Sequence, residues 1–121
     1  MRGLVLAGLL LWASSVQAQD RAFRASLVAA VAAHGADLAT TEWCIGRGTC
    51  HESNPWLARF DHPAAFGVAK MGTAAMTLWL TAKIKDAGHP KVATWMNVVT
   101  TGLLAGVAAH NSRIAGPSRV R

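Results

Sequence analysis

The chain is short of charge. Charged residues fill 15% of its 121 positions, and only six are acidic against twelve Lys and Arg. Ordinary soluble domains carry roughly 25% charged residues, and a small protein has much surface to wet for its volume. The shortage argues against a surface that meets water all round. Other absences narrow the function. No phosphate-cradling glycine loop is present, and no nucleophile accompanies the His51-Glu52 pair, so the usual marks of enzyme chemistry are missing. There is no internal repeat and no low-complexity linker. The basic residues are scattered along the chain, mostly at the ends of apolar segments. A nucleic-acid binder gathers them on one face or stripe, so no nucleic-acid partner is expected. Headgroup contact and snorkelling account for them better.

What the chain does have is apolar residues, 52% of the total. Its length allows one domain. Residues 1–18 carry the marks of a secretory signal: Arg2, an apolar core from Leu4 to Ala13, and small residues around Val16-Gln17-Ala18. That core is shorter than the ~20 residues needed to span a bilayer, which favours a signal peptide over an uncleaved anchor. Either form sends the chain to the export machinery. Residues 19–113 then read as a single helical membrane domain, and residues 114–121 as a basic tail.

Three helices are predicted, at about 22–43, 63–84 and 90–112, with a loop over 44–62. Gly46 and Gly48 break the first. Pro63 starts the second, Gly88 suits the left-handed position after its end, and Pro90 suits the first position of the third. Trp43 and Trp56 flank the long loop, while Trp79 and Trp95 flank the Lys83–Lys91 turn, as in an interfacial aromatic belt. The fold class is all-α: a small bundle of three membrane-associated helices after the signal sequence.

The sharpest feature is a matched pair of charges. Asp37 lies in the first helix and Lys70 in the second, each six or seven residues from the connecting loop. At ~1.5 Å per residue that is about 10 Å of depth, so in an antiparallel hairpin the two can meet. Intramembrane charges are costly and are usually paired. At 100° per residue, His34, Asp37 and Thr41 fall within about 60° of arc, and Lys70, Thr73, Thr77 and Thr81 within about 80°. Thr94, Asn97 and Thr101 share a face of the third helix. Such stripes are expected to turn inward, away from lipid, as interhelical glue or as an ion or proton path. Gly102 and Gly106 form a small-xxx-small pair suited to close approach of another helix.

The loop holds Cys44, Cys50, His51, Glu52, Asn54, Pro55, Trp56 and His62. In an exported compartment Cys44 and Cys50 are expected to bridge. As thiols they would join His51 and His62 as weak zinc or copper candidates, without the short Cys-x2-Cys spacing. Asn54-Pro55 has the form of a helix cap followed by proline.

The order Asp37, Thr40/Thr41, Glu52-x-Asn54-Pro55 and Phe66-x3-Lys70 resembles a family of small bacterial integral membrane proteins of unknown function. The match covers about Asp37 to Thr81. The resemblance implies an integral helical fold in the bacterial inner membrane, and a structural or functional set of Asp37, Glu52, Asn54 and Lys70. It brings no activity and no cofactor. The expected role is a non-enzymatic assembly or regulatory component. The alternatives are ion, proton or metal handling through Asp37, Lys70 and the Cys/His loop, and a secreted soluble helical bundle.

Overall fold

The computed structural model describes residues 2–48, 55–59 and 63–115. All of its regular elements are helical: α1 (Arg2–Gly46), a 3-10 turn (Leu57–Arg59), α2 (Pro63–Asp86) and α3 (Pro90–Ile114). α2 and α3 follow the predicted bounds to within two residues. α1 does not. It is one uninterrupted helix of 45 residues, running through the polar stretch Gln17–Arg24 where a boundary was expected. That stretch is polar but holds neither Pro nor Gly, and polarity alone does not end a helix.

Helix ends are set by local chemistry. Gly88 takes a positive φ of 92°, open to glycine at little steric cost. Its N–H bonds the Lys85 carbonyl and the next N–H, from His89, reaches back to the Ile84 carbonyl. This is a Schellman closure of α2. Pro90 then opens α3 immediately, so the reversal needs few residues. At the end of α1, Gly48 adopts φ 67° and bonds the Ile45 carbonyl.

The helices run up, down and up, so α1 and α3 are parallel and share the most extensive contact. Their seam is built from small residues. On α1 the buried positions are Phe23, Ser26, Ala30, Ala33, Asp37, Thr41 and Cys44, a spacing of three and four that keeps one stripe facing inward. On α3 the buried positions are Ala93, Asn97, Ala108 and Asn111, and Ala115 at its C-cap is buried too. Alanines at these places let two backbones approach closely, as in membrane helix pairs. α2 lies against this pair, and Leu57 of the 3-10 turn is buried beside it.

Polar side chains share the interior with small apolar ones, and many large apolar side chains face outward. Thr81 and Asn97 are fully buried, while Val68 is 71% and Leu103 67% exposed. Met71, Met76, Trp79, Val92 and Trp95 also face outward. Among the described residues, α3 is the one helix long and apolar enough to cross a membrane, with 25 residues and an 18-residue stretch of mean hydropathy 1.5. α1 and α2 draw on Ala, Gly and Thr, which are weakly apolar, and they carry the buried ion pair.

Candidate functional site

The two charges meet. Lys70 Nζ lies 2.7 Å from Asp37 Oδ2, with side-chain exposures of 10% and 9%. The antiparallel course of α1 and α2 brings them level, and a second ion pair keeps the same register farther along. There Lys85 Nζ lies 3.1 Å from Asp20 Oδ1 near the end of α2, in a more exposed setting. The two pairs fix the vertical alignment of the hairpin at two depths.

Thr41 is the hub around the inner pair. Its hydroxyl donates to Asp37 Oδ1 at 3.3 Å. It accepts from Lys70 Nζ at 3.1 Å and from Asn111 Nδ2 at 3.0 Å. A hydroxyl has one proton and two lone pairs, so its capacity is fully used. Asp37 and Thr41 come from α1, Lys70 from α2 and Asn111 from α3, so one small cluster ties all three helices. The Phe66 ring covers the ammonium at 5.5 Å, a cation–π contact on a buried ring.

Two further contacts tie α1 to α3. At one end, Asn97 Nδ2 donates to Ser26 Oγ at 3.2 Å, and Ser26 Oγ donates to the Phe23 carbonyl. At the other, Arg47 Nη1 donates to the Ala115 carbonyl at 3.2 Å, holding the last turn of α3, while its guanidinium lies over Trp43. Among the described residues, two buried polar atoms, His34 Nε2 and Asn97 Oδ1, have no hydrogen-bond partner. Both sit on the inward faces of their helices.

The predicted polar faces are only partly inward. Thr73 is exposed, against the expectation for its stripe, and its hydroxyl bonds the Ala69 carbonyl one turn back. Thr77 likewise bonds its own helix, at Thr73 O. A threonine that satisfies itself on the preceding turn can face outward without leaving a bare hydroxyl. His34 is half-buried beside the ion pair. Gly102 and Gly106 lie on the exposed side of α3 with open space around them.

Of the loop residues, Cys44 is fully buried at the end of α1, and Pro55 and Trp56 are exposed. Cys50, His51, Glu52, Asn54 and His62 lie outside the described residues. The metal candidates therefore fall there too, apart from Cys44. Among the described residues, no three His, Cys, Asp or Glu side chains are grouped to hold a metal ion.

Asn111 and Ser26 join the polar core although their own segments did not mark them. Asn111 stands at the end of its helix, where an Asn is unremarkable. Two signals point to them in hindsight. Asn111 lies fourteen positions from Asn97, about 40° away around the helix, and Ser26 lies eleven positions from Asp37, about 20° away. Set against family models, curated proteins and solved structures, the chain matches none.

Proposed function

We propose that the chain is a small integral membrane protein that acts without catalysis, as an assembly or regulatory component, with the Asp37–Thr41–Lys70–Asn111 cluster locking its three helices together. Polar groups inside the bundle and large apolar side chains on its outside carry this proposal. Large apolar side chains on the outside, such as Val68, Met71, Trp95 and Leu103, are each more than 60% exposed, a costly surface in water. In hydrocarbon the same surface is at home, and the polar groups are best placed inside. The weakly apolar α1 and α2 would be held in the bilayer by α3 and by pairing of their charges. The same surface makes a secreted soluble bundle the poorer account. The resemblance to small bacterial membrane proteins rests on Asp37, Thr40/Thr41, Glu52-x-Asn54-Pro55 and Phe66-x3-Lys70; of these, Asp37, Thr41, Phe66 and Lys70 are neighbours in this core.

Alkaline carbonate extraction of membranes from expressing cells tests the proposal. The chain is expected to stay in the pellet and to leave it only with detergent. Release by carbonate alone would rule out the integral form.

We also propose that Cys44 is bridged to Cys50 in an exported loop, closing a short ring at the end of α1. Intact-mass measurement after alkylation, with and without prior reduction, is expected to show two alkyl groups only after reduction. Alkylation of both thiols without reductant would dismiss the bridge.

A further inference from the structure

The outer face of α3 carries a shallow hollow, open to the surroundings and lined by Lys91, Val92, Trp95, Met96, Val99 and Thr100. Its walls are apolar and its one charge, Lys91, stands at one end, in the first turn of the helix. From Lys91 to Thr100 the helix rises about 14 Å, close to half of a ~30 Å hydrocarbon core. The hollow therefore has the length of one leaflet.

The end of the bundle at Lys91 is strongly cationic. The Asp20–Lys85 pair brings the start of the α1 seam level with the α2–α3 turn. Arg21, Arg24, Lys83, Lys85 and Lys91 gather there against Asp20 and Asp86, a described excess of three positive charges. Arg21, Arg24, Lys83 and Lys91 are exposed. Trp79, beneath the Lys83 ammonium at 5.9 Å, and Trp95 stand at the same end.

We propose that this hollow holds one acyl chain of an acidic phospholipid, with Lys91 meeting its phosphate. The site rests on the membrane assignment above. Charge decides the occupant. A second copy packed in parallel on this face would bring an identical cationic end against the first. An acidic headgroup neutralises that end, and its tail fills the apolar length below. A zwitterionic lipid supplies the tail but cancels less of the charge.

Quenching of Trp95 by brominated lipid is the test. The full-length protein is placed in phosphatidylcholine vesicles holding a small fraction of either acyl-brominated phosphatidylglycerol or acyl-brominated phosphatidylcholine. The Trp95 signal is taken as the difference between wild type and Trp95→Phe. Phosphatidylglycerol is expected to be enriched about five-fold at Trp95, the size of one basic residue's preference for an acidic surface. Lys91→Gln should remove most of that preference while insertion is unchanged.

Equal quenching by the two lipids overturns the site and leaves the membrane assignment standing. So does a preference that survives Lys91→Gln, which would make the attraction diffuse. A Trp95 shielded from both lipids would give the face to a second copy and also overturn it. Failure to enter vesicles of either composition removes the membrane assignment and the lipid site together.

Discussion

Lys70→Ala is expected to destabilise the bundle by about 3–5 kcal/mol in a detergent unfolding titration, and Asp37→Ala by a similar amount. Each change breaks an ion pair whose side chains are nine-tenths buried and takes from the remaining charge a partner at 2.7 Å. Lys70 donates to both Asp37 and Thr41, so its loss removes two contacts at once. Asp37 accepts from Lys70 and Thr41, so its loss also strips the threonine of an acceptor.

The joint replacement Asp37→Leu with Lys70→Met is the informative control. Removing both charges also removes both desolvation costs, so the double variant should recover most of the loss. Its stability is expected within about 1–2 kcal/mol of wild type, well above either single variant. Exchange of the two residues, Asp37→Lys with Lys70→Asp, should recover part of it. Additive losses in the double variant would mean that the two side chains do not act as a pair.

Thr41→Val comes next in size. Valine keeps the branched shape and deletes the hydroxyl, so packing is little changed while three hydrogen bonds are lost. Interhelical bonds in membranes average only ~0.6 kcal/mol, because the unfolded chain in the bilayer also finds partners. On that basis the loss is about 2 kcal/mol. The same substitution at the exposed Thr73, whose hydroxyl bonds only its own helix, should cost less than about 0.5 kcal/mol. Thermal stability of the two variants in detergent checks the contrast. Equal effects would show that Thr41 is not a hub.

The core ion pair was legible in the sequence because its cost is so large. Asp and Lys are conspicuous in segments of Ala, Val and Met, and their equal distance from the loop supplied the register. The ends of α2 and α3 were equally plain, since Pro63, Gly88 and Pro90 each act through their own backbone geometry. The long reach of α1 was not. The eye stops at Gln19-Asp20-Arg21, but helix continuation depends on backbone compatibility, which those residues have. The polar stripe on α2 was read too broadly for a related reason. Threonine signals polarity in a one-dimensional pattern, yet Thr73 satisfies its hydroxyl on the preceding turn and can stand outside. Asn111 was missed because its partner, Thr41, lies 70 positions away and on a parallel helix. No local pattern specifies which residues two parallel helices will set side by side.

In a bilayer the exposed apolar side chains would meet lipid while the polar cluster stays inside the bundle. Hydrophobic carbene labelling of the protein in bilayers, read residue by residue by mass spectrometry, tests this most directly. Label is expected on Val68, Met71, Met76, Trp95 and Leu103, and none on Asp37, Thr41, Asn97 or Asn111. Label on the second set, or an absence of label from the first, would contradict the account.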